Sequence, residues 1–171
     1  GYTNSIGIEN TFIGAYAGQF NTSGGHNSFL GVPAGNLNDS GEENSFLGAH
    51  AGYSNTSGSF NTFVGNFSGV NNTIANRNTL LGFEAEVGSA GITNAMALGN
   101  TAVVSSSNSV VIGNSNIISI GGQVGWSTLS DARLKENIQK NNLGLTFINS
   151  LETVTYNYKK TENKQRYTGL I

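Results

Sequence analysis

The sequence predicts an all-β repeat protein, a β-solenoid of about seven coils followed by a small α+β segment. Three observations predict it: a short motif that returns every 17 residues, a glycine-rich composition, and a change of composition near Trp126. Only 37% of the 171 residues are apolar and 11% are charged, while 24 are glycine. This composition suits a regular scaffold with small residues at tight corners better than a globule with a large core.

The repeated motif consists of Asn, a Ser or Thr, two apolar residues and Gly. A 17-residue period is too short for helical-hairpin repeats, which need more than about 30 residues per unit. Each period holds one β-prone stretch, a small-residue corner and a polar loop, which predicts one solenoid coil per repeat over residues 1–120. The motif begins at Asn10, Asn27, Asn44, Asn61 and Asn78, and a related unit begins at Asn108.

Stacked coils place equivalent residues above one another at intervals of about 4.8 Å. The asparagines that open the motif are therefore expected to form a hydrogen-bonded ladder along the axis. Neighbouring strand residues point to opposite faces, so one apolar row fills the coil and another lies outside. A repeated exposed stripe favours association with other copies. We assign the following row to the core between chains rather than to a ligand-stacking platform: Phe12, Phe29, Phe46, Phe63 and Leu80.

The repeats resemble the head repeats of trimeric autotransporter adhesins and related repeats of bacterial and phage fibre proteins. The residues that carry this resemblance are Asn108–Gly113, Asn94–Gly99 and the longer form Asn-x-Phe-x-Gly-x-x-Ala-Gly. Those heads are trimers of left-handed parallel β-rolls, which implies a homotrimer here and makes the Phe row its trimer core. The 17-residue period departs from the shorter adhesin repeat.

The C-terminal region has different physical properties. Residues 1–125 carry one base and six acids, whereas residues 126–171 carry seven bases and four acids. The apolar spacing of residues 143–151 predicts a short amphipathic helix, and the alternation over 153–159 predicts a strand. No dense basic patch indicates nucleic-acid binding. Residues 121–129 are assigned to a connector.

Residues 130–171 resemble the start of the self-cleaving C-terminal intramolecular chaperone of endosialidase-type phage tailspikes. The matching motifs are Ser-Asp-x-Arg-x-Lys-Glu-Asn-Ile at 130–138, the helix, a Val-x-Tyr-x-Tyr-Lys strand and a final Gly-Leu-Ile. The resemblance implies that this segment drives trimerisation and is released by cleavage between Leu129 and Ser130. It also implies roles for the motif residues: Ser130 as nucleophile, Lys135 as its base, and Asp131 and Asn137 as supporting groups. The family domain is longer than this segment, so we expect no cleavage in the present chain.

A Ser hydroxyl needs a neighbouring group to accept its proton, and a desolvated Lys of lowered pKa can do so. Residues five apart lie on different sides of a helix, so Ser130 and Lys135 meet only through a turn or across subunits. The alternative from the residues alone is that Ser130 caps a helix and Lys135 is a surface charge.

The sequence thus predicts a structural and adhesive fibre segment, extracellular on a virion tail or bacterial surface, with a surface glycan or protein as receptor. At most one self-cleavage event is expected as enzymology. No cofactor, metal site, nucleic acid or membrane insertion is expected, since cysteine is absent and no apolar run is long enough to span a bilayer. Two alternatives stay open: a glycan-hydrolysing tailspike, which needs paired carboxylates, and another binding solenoid with a flat face.

Overall fold

The computed structural model describes residues 1–123 and residue 151. The chain divides into two compact units, Gly1–Gly121 and Gly122–Ile171, and every strand of the described residues lies in the first unit. The helix and strand predicted for residues 143–159 lie outside the described residues, apart from residue 151 alone.

The first unit is built from nine short strands. Seven of them form one parallel sheet in the order β1-β2-β3-β4-β5-β7-β9, and the other two form a second parallel sheet, β6-β8. Their bounds are Thr11–Ile13 (β1), Ser28–Leu30 (β2), Ser45–Leu47 (β3), Thr62–Val64 (β4), Thr79–Leu81 (β5), Glu86–Val87 (β6), Met96–Leu98 (β7), Val103–Val104 (β8) and Val110–Ile112 (β9).

The strands pair in a register that joins equivalent positions of successive repeats. Phe29 pairs with Phe46, and Phe46 pairs with Phe63, so each coil contributes one strand to the seven-stranded sheet and advances the chain by one level. The last step, from Met96 to Val110, takes 14 residues because its coil lacks three residues of the polar loop. The predicted all-β parallel solenoid is confirmed.

The middle residue of each strand points into the coil and forms the interior column: Phe12, Phe29, Phe46, Phe63, Leu80, Ala97 and Val111. Phe29, Phe46 and Phe63 are at most 1% exposed, and their rings stack 4.8 Å apart, which is the rise per coil. The assignment of this row to a trimer core is therefore wrong. These side chains are already buried within one chain. Their ring faces are covered by neighbours in the column, so they have no surface left for a partner chain.

The asparagines that open the motif form the predicted ladder. Each side-chain Oδ1 accepts the backbone N–H of the equivalent residue in the next coil, as Asn27 does from Asn44 at 3.0 Å. Each Nδ2 donates to a corner carbonyl, as Asn27 does to Gly41 at 2.8 Å. These buried amides form hydrogen bonds with backbone groups that have no partner in the sheet. This row of asparagines, the first ladder, therefore holds neighbouring coils together.

A second ladder, which the sequence analysis did not identify, runs through the polar loops. Asn38 donates through Nδ2 to the Oδ1 of Asn21 at 2.7 Å and to the carbonyl of Gly41 at 3.0 Å. The carbonyl of Gly41 thus accepts from both ladders. The signal was present, since these asparagines also recur every 17 residues: Asn4, Asn21, Asn38, Asn55 and Asn72.

Glycine is required where consecutive coils approach most closely. Gly31 has φ +145°, and a Cβ there would collide with the carbonyl of Gly48 in the next coil. Gly35 has φ +55°, and a Cβ there would enter the ring of Phe29 in its own coil. The small residues that precede this second glycine, such as Ala34 and Ala51, are fully buried against the interior column. The glycines recur with the coil because the backbone at these positions lies too close to its neighbours to carry a side chain.

Candidate functional site

The outer face of the seven-stranded sheet is a repeated surface that runs through seven strands of the first unit. The first and last residues of each three-residue strand point outward together, because they lie two positions apart. The first positions carry hydroxyl groups in Thr11, Ser28, Ser45 and Thr62, all exposed. The last positions form the outer column of aliphatic side chains: Ile13, Leu30, Leu47, Val64, Leu81, Leu98 and Ile112.

The outer column leaves its aliphatic groups in contact with water. Ile13 is 57% exposed, and Leu30 and Leu47 are each 45% exposed. The column continues without interruption through seven strands, so it is a contiguous stripe and not a set of scattered surface residues. Contiguous apolar stripes on a soluble surface mark interaction sites. This is the stripe that the sequence analysis expected outside the coil, but with different residues from those it named.

The two sides of this face are lined by corner residues. In each coil, the leading corner is the residue that precedes the asparagine of the first ladder or the equivalent position. These residues are Glu9, His26, Glu43, Phe60, Arg77, Asn94 and Asn108. The trailing corner lies seven positions later: Tyr16, Pro33, His50, Phe67, Glu84 and Thr101. Along the leading corner, His26 lies 3.0 Å from Glu9, and the guanidinium of Arg77 lies 5.4 Å from the centre of the Phe60 ring. Along the trailing corner, His50 stacks on Phe67 at 4.5 Å.

The two histidines therefore belong to different corners, each with its own local partners. The Nδ1 atom of His50 is buried without a hydrogen-bond partner. No cluster of three or more metal-ligating side chains occurs within residues 1–123.

One pair of carboxylates bears on the hydrolase alternative. Glu84 and Glu86 both line a shallow cavity of about 310 Å³. Burial raises the pKa of Glu86 to about 7, against the opposing effect of backbone N–H groups that donate to it. Its two oxygens accept N–H bonds from Asn71 and Val87, each at 3.0 Å. Because the carboxylate oxygens are used to hold the backbone, the arrangement indicates a structural role rather than an acid–base pair.

The predicted cleavage and catalytic residues lie outside the described residues. They are Leu129, Ser130, Asp131, Lys135 and Asn137. Within the part of the chain that is described, no helix is long and apolar enough to span a bilayer.

Comparison with known protein families identifies the C-terminal segment. Residues 130–171 match the family model described as chaperone of endosialidase. No curated protein and no solved structure matches the chain. The match confirms the recognition of the chaperone start, and its combination with a β-solenoid fits a segment of a trimeric fibre or tailspike.

Proposed function

We propose that this chain is a segment of a homotrimeric fibre that attaches a virion tail or bacterial surface to a host or surface receptor. The observation that carries the proposal is the outer column, an aliphatic stripe along seven coils of a chain whose C-terminal segment matches an assembly chaperone. The family match favours a phage tail over a bacterial surface, and it favours an extracellular location.

A trimer is the economical way to bury this stripe. Side chains such as Leu30 and Leu47 each gain on the order of 1 kcal/mol when the remaining exposed half of their surface leaves water. Seven such positions act together in one rod, and closed symmetry removes the stripe from every copy at once. An open association would leave stripes exposed at its ends.

The C-terminal segment then acts first as an assembly factor and afterwards as its own protease. The Ser130 hydroxyl attacks the carbonyl carbon of Leu129 while Lys135 accepts its proton. The amide nitrogen of Ser130 leaves and takes up a proton, which gives an ester between Leu129 and the serine oxygen. Water hydrolyses this ester and separates the chaperone from the fibre. Asp131 and Asn137 position these groups.

Light scattering on the purified chain tests the assembly part of this proposal. The expected mass is about three times the monomer mass of 17.8 kDa. Leu47→Asp places a charge in the outer column, so it should give a monomer with an unchanged β-type circular dichroism spectrum. The matched control Ser40→Asp, on an exposed loop, should remain trimeric. A well-folded, stable wild-type monomer would contradict the proposal.

A further inference from the structure

Both corners of the outer face hold non-glycine residues in the left-handed backbone region. On the leading corner φ is +53° at Glu43, +61° at Phe60 and +60° at Arg77. On the trailing corner it is +59° at His50 and +57° at Phe67. This conformation costs an L-residue roughly 1–2 kcal/mol, and glycine adopts it freely.

The same chain places glycine at its other left-handed corners, for example Gly35 and Gly52. Bulky or charged side chains are instead kept at the leading and trailing corners of the third, fourth and fifth coils. Strain maintained at equivalent positions points to a use for those side chains. Most of them are exposed in the single chain, including Phe60 at 47% and Phe67 at 38%.

In the third, fourth and fifth coils the two corners have complementary chemistry at the same level. The third level carries Glu43 and His50, an acid and a base. The fourth level carries two exposed aromatic rings, Phe60 and Phe67. The fifth level reverses the order of charge, with the base on the leading corner and the acid on the trailing corner, in Arg77 and Glu84.

These pairs do not meet within one chain. In each coil the strand lies between the two corners, and Arg77 and Glu84 form no ion pair with each other, although both are described. The only ion pair within residues 1–123 joins Glu9 and His26, which follow one another along the leading corner. Within residues 1–123 Arg77 contacts the Phe60 ring but no acid, so a carboxylate partner for it can be supplied by another copy of the chain.

We propose that the leading corner of one copy packs against the trailing corner of the next copy at the same coil level. This inference rests on the proposed homotrimer. When three outer faces turn toward a common axis, the left edge of each face meets the right edge of its neighbour. Such a head-to-tail contact closes into a ring after three copies. The acid–base, aromatic and base–acid levels then fix the register between chains, since a shift by one coil would place the ring of Phe60 against Glu84 and leave Arg77 against Thr101 without an acid.

Disulfide trapping tests the contact directly, because the chain contains no cysteine. In Arg77→Cys/Glu84→Cys, oxidation should give a covalent species of three chain masses on a non-reducing gel. Neither single variant should cross-link, because equivalent positions do not meet in a head-to-tail ring. The control pair Arg77→Cys/Asp39→Cys, with one residue on the polar loop, should stay uncross-linked. Dimers from the single Arg77→Cys variant, or only monomers from the corner pair, would overturn the inference.

Charge reversal provides a second test. Arg77→Glu and Glu84→Arg should each weaken trimer association about tenfold or more, because like charges then face each other. The double reversal should restore association to within about threefold of wild type. If wild type is a trimer but the double reversal does not restore association, the proposed corner contact is contradicted and the proposed trimer is not. A monomeric wild type would instead contradict the proposed function itself.

Discussion

Asn44 is a single buried side chain that holds three coils in place. Its Oδ1 accepts the N–H of Asn61 at 3.0 Å, and its Nδ2 donates to the carbonyl of Gly58 at 2.8 Å and to Oδ1 of Asn27 at 3.2 Å. The side chain has no exposure to water. Its removal would leave the buried N–H of Asn61 without its acceptor, and the carbonyl of Gly58 would keep only one of its two donors, Nδ2 of Asn55 at 2.9 Å.

Asn44→Ala should therefore lower the free energy of unfolding by about 2–4 kcal/mol, as measured by denaturant titration. The neighbouring Ser45→Ala is the control, since Ser45 is exposed and a surface change of this kind costs within about 0.5 kcal/mol. Equal stability of the two variants would show that the ladder does not hold the coils together.

The first ladder could be predicted because its asparagines open a motif that is easily recognised. The second ladder has the same period but lies in loops of variable sequence, such as Asn21-Thr22-Ser23 and Asn38-Asp39-Ser40. The hydrogen-bond partners of both ladders depend on the cross-section of the coil, which the sequence pattern does not specify. Only the structure shows that the carbonyl of Gly41 lies within reach of both Asn27 and Asn38.

At the scale of the strand, the row of side chains that was predicted to lie between chains was the wrong one. Alternation predicted two apolar faces correctly, but it did not decide which face was inside. Thr11 and Ile13 share a face, so burial of the aliphatic row would have buried the hydroxyl row with it. Burial of Phe12 and its equivalents avoids that cost. The position of the hydroxyl residue was therefore the signal that assigns the Phe row to the interior.

The short strand β6 carries Glu86, whose side chain accepts backbone N–H bonds from Asn71 and Val87. In the folded state burial favours the neutral carboxyl, since its pKa rises from 4.5 to about 7. This stabilising contribution is complete below pH 4.5 and is lost as the pH rises through about 7. The unfolding free energy should fall over this window by up to about 3 kcal/mol.

Glu86→Gln should remove this fall, because glutamine stays neutral at every pH. Thermal or denaturant unfolding between about pH 4 and pH 8 measures this fall, and the variant should lose that part of the pH dependence. Glu42→Gln, at an exposed acid on a loop, should keep the wild-type dependence. A Glu86→Gln variant with the wild-type pH profile would remove Glu86 as its source.

At the scale of the whole molecule, composition predicted two regions with different physical properties. The repeat could be derived from the residues alone, because the same sequence pattern recurs in each coil. The roles of Ser130 and Lys135 could not be derived in this way. A serine and a lysine five positions apart have no fixed distance without a fold, so their assignment depends on the chaperone motif.

The processing proposal predicts a specific cut in the protein that carries a complete chaperone domain. Mass spectrometry should find cleavage between Leu129 and Ser130, whereas Ser130→Ala and Lys135→Ala should each leave an intact precursor. Both variants should remain trimeric, because assembly precedes the cut.

Cleavage of Lys135→Ala at the normal rate would exclude Lys135 as the base. Asn141→Ala, outside the motif, is the control and should be processed like wild type.

The in-register pairing of Phe29 with Phe46 and of Phe46 with Phe63 also makes the coil a unit of length. Each coil touches mainly the coils directly above and below it, so its contribution to stability depends on its neighbours and not on the total number of coils. Duplication or loss of a whole 17-residue segment would return every ladder and every corner to its own column. Such a change would lengthen or shorten the rod by about 4.8 Å while its ladders, corners and outer column kept their chemistry. A gene of this design can adjust the reach of a fibre in discrete steps without inventing a new surface.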